Sequence, residues 1–186
     1  MSFKSLKGHL LLASNRLVDP NFAKAVVLIF DHNDEGAAGV ILNRPIEKTI
    51  AEIADQVFEV RSDWEKPIHL GGPVPGPLAA AHTIKEMADL EVMPGVYGSL
   101  APDHLRKLIR KHQEPTLFVV NYSGWGPGQL EDELGEEAWH LLPARSEHLF
   151  WTKEESLWDT CMAEVSRGVL DEALGIRIKP LDPRVN

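Results

Sequence analysis

Apolar residues fall along this chain in two rhythms. Unbroken apolar runs predict strands at residues 9–13, 25–30 (Ala-Val-Val-Leu-Ile-Phe), 39–42 (Gly-Val-Ile-Leu), 67–70, 78–82, 116–120 and 139–142. The runs at 25–30 and 39–42 flank Asn33-Asp-Glu-Gly36, a hairpin signal with Gly36 available for positive φ. Neither arm alternates apolar with polar, so the hairpin is expected deep in the fold and covered on both faces. The second rhythm is helical. Thr49-Ile-Ala-Glu52 reads as a capping box ahead of Ile50, Ile53, Ala54 and Val57 at helical spacing. Pro102 suits a first helical turn, followed by Leu105, Leu108 and Ile109 on one stripe. Gln129 to Leu134 predicts a short helix, and Thr152-Lys-Glu-Glu155 opens a longer one with Leu157, Trp158, Cys161, Met162 and Val165 inward. The stretch Gly71-Gly-Pro-Val-Pro-Gly-Pro77 is expected to be irregular, and a glycine-rich turn is expected after Val120.

Strands arrive in clusters and hairpins instead of alternating with helices, which predicts an α+β domain over a parallel doubly wound one. At 186 residues the chain suits one domain, spanning 1–186, with a core at about 8–168 and a tail at 169–186. No repeat, low-complexity tract or linker interrupts it.

Charge narrows the function. Nineteen Lys and Arg against 28 Asp and Glu leave a net charge of −9. Such a surface repels nucleic acid and anionic membranes alike, so direct contact with either is not expected. One cysteine cannot form an internal disulfide, no signal-peptide pattern opens the chain and no apolar run spans a bilayer; a cytoplasmic protein is expected. Cys161, on an inward helical face, reads as a buried and unreactive thiol.

No motif spells out a reaction. Asp31-His-Asn-Asp-Glu-Gly36 imitates half an EF-hand, but Leu42 stands where the bidentate Glu is needed. The histidines have no zinc-ligand spacing. Gly124-Trp-Gly-Pro-Gly-Gln129 lacks the last glycine of a dinucleotide fingerprint, and no Gly-Lys-Ser/Thr triplet marks a P-loop. His69-Leu-Gly-Gly-Pro73 resembles an esterase oxyanion segment without its Gly-x-Ser-x-Gly partner. Neither metal nor cofactor is therefore expected, and no catalytic residue is assigned.

Taken together the motifs resemble the AlgH/YqgE family of bacterial proteins. The resemblance rests on Asp19-Pro-Asn-Phe22, the block from Val26 to Pro45 with His32-Asn33, Gly36-Ala37 and Asn43-Arg-Pro45, then His69-Leu-Gly-Gly-Pro73, His82, Ser123-Gly-Trp125, Gly128-Gln-Leu-Glu-Asp-Glu133, Ala138-Trp139, Pro143-Ala144, Leu149-Phe150, Trp158 and Gly168. It implies an α+β fold whose bifurcated, largely antiparallel sheet forms a pseudo-barrel with peripheral helices. It also implies a link to transcriptional regulation, with no assigned activity. Two departures stand out: Phe30 where many relatives carry cysteine, and Pro75-Gly-Pro-Leu-Ala-Ala-Ala81 where relatives often carry Arg-Gly-Phe.

The preferred expectation is a non-enzymatic binding or regulatory protein acting through a partner protein or a small ligand. Its surface would gather His32, Asn33, Asn43, Arg44, Gly71, Gly72, Ser123, Trp125 and Gln129, provided their loops converge. One alternative is a metal-independent hydrolase in which His32 or His82 pairs with Asp31. Another is weak DNA contact through Arg106, Lys107, Arg110 and Lys111, the concentrated basic surface of the chain.

Overall fold

The computed structural model describes residues 4–17 and 19–173. The tail expected at 169–186 lies mostly outside them; residues 169–173 continue the last helix. The elements are β1 (His9–Ala13), β2 (Val26–Asn33), β3 (Gly36–Ile41), β4 (Pro45–Thr49), α1 (Ile50–Phe58), β5 (Pro67–Leu70), β6 (Val74–His82), β7 (Leu90–Met93), β8 (Val96–Ser99), α2 (Pro102–Arg110), β9 (Thr116–Trp125), α3 (Gln129–Gly135), β10 (Trp139–Pro143), α4 (Ser146–Phe150) and α5 (Glu154–Ala173). One sheet runs in the order β10-β1-β2-β3-β9-β6-β8-β7, with β4 and β5 branching from it. The strands curl into a half-barrel with five helices around it, the α+β pseudo-barrel that the resemblance implies.

The branch point is β9. Its first half pairs in parallel with β5, at Phe118, Val119 and Val120. Its second half pairs with β3, at Ser123, Gly124 and Trp125. Asn121 lies between the two registers at φ +64°, a left-handed conformation that asparagine tolerates better than branched residues. The glycine-rich turn expected after Val120 therefore starts later. Tyr122 to Trp125 stay in the strand because β3 gives them a ladder, and only residues 126–128 form the turn into α3.

Three clusters of buried side chains fill the molecule, and they explain the unbroken apolar runs. Leu10, Leu12, Val26 and Leu28 face the inside of the half-barrel, with Val92, Val96, Leu157 and Cys161. Leu11, Val27, Ile29 and Ile41 face outward under Trp125, Leu130 and Trp139. On the other limb, Ile68, Ala80 and Phe118 pack beneath Ile50, Ala54 and Phe58 of α1 and Leu105, Leu108 and Ile109 of α2. Strands covered on both sides have no polar face, hence no alternation.

The stretch expected to be irregular, residues 71–77, is half strand. Val74 to Pro77 belong to β6, whose ladder with β9 skips between Val74 and Leu78. Pro75 and Pro77 sit within that irregularity, where a missing N–H costs no ladder bond. The Asn121 side chain accepts from Gly76 N–H at 3.1 Å. Also unanticipated are β4, α4 and the β7–β8 hairpin turning at Pro94-Gly95, a pair with a recognisable turn signature.

Candidate functional site

The nine residues expected to share a binding surface are tied into the fold itself. Gly71 and Gly72 are wedged against the β9 seam: a Cβ on Gly71 would lie 2.4 Å from Asn121 O, and one on Gly72 2.3 Å from Ser123 Oγ. The Ser123 hydroxyl donates to Gly71 O at 3.0 Å. Asn43 accepts from Val26 N–H and donates to Lys24 O, and Arg44 donates to Ala23 O, so both hold the start of β2. Asn33 accepts from Glu35 N–H within the hairpin turn. Gln129 accepts from Gly126 N–H and donates to Glu133. The Trp125 and Trp139 indoles both donate to Glu133 Oε2, at 2.9 and 2.7 Å, with Phe22 against both rings. The hairpin turn does meet the turn before α3, since a Gly36 Cβ would sit 2.2 Å from Trp125 O. That contact is closed packing. Of the nine, Asn33 lines a surface hollow, with Lys4, Asp34, Gly128 and Glu131.

The histidines depart from the expected pairing with Asp31. Asp31 and His32 are consecutive in β2, so their side chains leave on opposite faces; Asp31 is exposed and His32 is buried. The carboxylate on His32 Nε2 is Glu131, at 2.8 Å, and Leu6 N–H donates to Nδ1. His82 is fully buried, accepts from Ile84 N–H at Nδ1, and gives Nε2–H to Ser99 Oγ at 2.7 Å. Ser99 in turn donates to Met87 O. This is a chain of satisfied core bonds with no route for a substrate. His148 repeats the pattern, with Arg145 N–H on Nδ1 and Glu164 on Nε2.

His69 breaks it. Its side chain is 1% exposed and Nε2 lies 3.2 Å from Glu154 Oε1, but among the described residues no N–H donor reaches Nδ1. Burial lowers its pKa below the usual 6.5, against the opposing pull of Glu154 and the Phe118 backbone. His69 lines a polar cleft of about 240 Å³ with Lys66, Glu114, Thr116, Thr152 and Glu154. The sequence marked His69 only as part of a glycine motif, and nothing local to it announces Glu154, 85 residues away.

A second concavity is apolar. The open mouth of the half-barrel holds about 120 Å³ among Leu28, Phe30, Val40, Ala81, Leu90 and Val92, with Asn121 and Tyr122 at the β9 side. Small residues line much of it: Gly76, Ala79 and Ala81 of β6, and Gly98 of β8. The sequence signal was available as small residues spaced along neighbouring strands.

Comparison with known proteins places this architecture. The AlgH-like family model matches residues 10–168. The chain belongs to the AlgH-like family. It is 37% identical to a "UPF0301 protein" of Chlorobaculum tepidum over 163 residues, 84% of this chain and 85% of that one. It is 32% identical to a "UPF0301 protein" of Streptomyces avermitilis over 98% of this chain and 96% of that one. The solution structure of the AlgH protein from Pseudomonas aeruginosa superposes with a TM-score of 0.74 at 30% identity, covering 97% of this chain and all of that one. The crystal structure of DIP2367 from Corynebacterium diphtheriae shares the fold, with a TM-score of 0.69 at 16% identity over 88% and 89% of the chains.

In this AlgH-like chain Phe30 and, from the stretch Pro75 to Ala81, Gly76, Pro77, Ala79, Ala80 and Ala81 help wall the apolar mouth. The basic helix face is smaller than its sequence. Arg106 donates to Phe58 O and pairs with Asp103, which leaves Lys107, Arg110 and Lys111. Cys161 is fully buried, and burial pushes its thiol up to about 11. Among the described residues no cluster of three or more His, Cys, Asp or Glu could hold a metal, and no helix is long and apolar enough to cross a membrane.

Proposed function

We propose that this AlgH-like protein is a non-enzymatic binding protein whose ligand is a small, largely apolar molecule held in the mouth of the half-barrel. The observation that carries this reading is the apolar cavity of about 120 Å³ between β2, β3, β6, β7, β8 and β9. An apolar cavity of roughly 150 Å³ takes up benzene, so the size suits a single ring or a short acyl chain. The lining is almost wholly apolar, and the Asn121 side chain on its β9 side is engaged by Gly76 N–H, so apolar contact is what this site offers a ligand. A catalytic reading has less support, because His82 is sealed in the core and the His32 imidazole is engaged at both nitrogens.

A regulatory role, including the link to transcription that the family resemblance implies, would then pass from ligand occupancy to a partner protein. Direct DNA contact has weak support, since Lys107 and Arg110 of α2 and Lys111 just after it stand against a net charge of −9. Calorimetric titration with toluene, indole and hexanoate tests the ligand reading. Saturable binding to the wild type and its loss in Ala81→Leu, which fills the mouth, are expected. Binding that persists unchanged in Ala81→Leu would move the ligand elsewhere, and no binding by any of the three would remove the reading.

A further inference from the structure

Three strands that wall the apolar mouth are fastened at their ends by one polar network. His82 closes β6 next to Ala81, Ser99 closes β8 between Gly98 and Leu100, and Asp89 immediately precedes Leu90 of β7; Ala81, Gly98, Leu100 and Leu90 all line the mouth. The network lies on the far side of the sheet. Ala81 packs with the cluster inside the half-barrel, Met87 with the cluster under α1 and α2, and consecutive strand residues face opposite ways. His82 gives Nε2–H to Ser99 Oγ at 2.7 Å, and the Ser99 hydroxyl donates to Met87 O. Ile84 N–H donates to His82 Nδ1 at 3.1 Å. Asp89 accepts from the N–H groups of Leu100 and Ala101, at 2.6 and 2.7 Å, and pairs with His104 Nδ1 at 2.8 Å. Residues 83–89, the link from β6 to β7, are thereby held in place, and Leu90 with them.

This arrangement suits a neutral imidazole and no other form. Nδ1 has to accept; once protonated it carries no lone pair, and two N–H groups would face each other in a buried site. Burial lowers the His82 pKa below 6.5, with His104 on α2 acting in the same direction and Asp89 against it. Opposite His82, β8 and β9 present Tyr97 and Thr116, neither of which is charged in the acid range. Lys85 and Glu86, on the link itself, are exposed. An imidazolium here is relieved by parting residues 83–89 from His82 and admitting water.

We propose that His82 is a proton switch on the apolar mouth: protonation frees residues 83–89, loosens the β7 side of the mouth and lowers its affinity for an apolar ligand. The switch rests on the reading of the mouth as a ligand site and adds its regulation. Reciprocity requires that a bound ligand favour neutral His82 by the same factor.

Indole, which does not titrate in this range, serves as the probe. Its affinity for the wild type should fall about fivefold from pH 7.5 to 5.5, the low end of ordinary coupling between linked sites. Over the same range the methyls of Leu90 and Leu100 should shift, while those of Leu11 and Ile29 stay at their native positions and report an intact fold. The His82 imidazole, followed by NMR, should titrate at lower pH in the indole-saturated protein than in the free one. His104→Gln should keep the pH dependence. His82→Gln, which retains a side-chain acceptor, should bind indole with the same affinity at both pH values; should that variant not fold, the wild-type imidazole titration decides alone. Indole affinity that is flat with pH, a His82 midpoint unmoved by indole, or a pH dependence lost in His104→Gln would each overturn the switch and leave the ligand reading standing. Absence of indole binding at pH 7.5, with toluene and hexanoate also failing, would remove that reading and the switch with it.

Discussion

Glu133 shows how much one side chain organises. Its Oε2 accepts from two buried indoles and its Oε1 from Gln129, so it fixes Trp125 at the end of β9 and Trp139 at the start of β10 together. Glu133→Ala would strand both indole N–H groups in an apolar cluster. A loss of about 3 kcal/mol is expected in urea unfolding, with Glu133→Gln milder because it keeps one acceptor. At Cys161 the sequence reading and the structure coincide, because three apolar neighbours at helical spacing identify an inward face. A thiol raised to about 11 is protonated at neutral pH, so thiol-disulfide reagents at pH 8 should leave the native protein unmodified and react once it is denatured. The side chains around His32 and His69 were not legible in the same way. Their carboxylates, Glu131 and Glu154, lie 99 and 85 residues distant in sequence, and only the closed sheet brings them near.

At the scale of elements, β9 is the piece on which the fold turns. Its apolar half was readable as a strand from Thr116–Val120 alone, but its continuation through Tyr122-Ser-Gly-Trp125 was not. Local glycine content argues for a turn there, and only the ladder to β3, 84 or more positions upstream, overrides it. The bend at Asn121 and the glycine pair Gly71-Gly72 belong to one construction, in which the chain leaving β5 crosses β9 at backbone contact. Gly71→Ala should therefore cost at least about 3 kcal/mol or prevent folding, since the new methyl would meet backbone instead of a movable side-chain tip. Gly128→Ala has open space around the new methyl but a φ of +74°, so a smaller loss of about 1 kcal/mol is expected. Denaturant midpoints of the two variants, compared side by side, check the ordering.

For the whole molecule, acid sensitivity follows from two histidines. His69 and His82 both have pKa values lowered by burial, so the folded state binds fewer protons than the unfolded chain near their ordinary value of 6.5. Stability is full above that value and falls as pH drops from about 6.5 toward the lowered values. Asp89 and Glu164 act lower. Burial works against both, but backbone amides and His104 around Asp89, and Arg145 and His148 around Glu164, hold them below the usual carboxylate range. The melting temperature should thus be flat from pH 7.5 to 7, decline below about 6.5, and decline again in the carboxylate range. The doubly covered β2–β3 hairpin was legible in its unbroken apolar runs, whereas the half-barrel followed from the family resemblance. Its mouth was not, because a cavity is a property of what neighbouring strands leave unfilled. Methyl-resolved NMR during titration with toluene and indole tests the central claim most directly. Saturable shifts confined to the methyls of Leu28, Val40, Leu90, Val92 and Val119 are predicted, and abolished in Ala81→Leu. Shifts centred on other methyls, or none at saturating ligand, would contradict it.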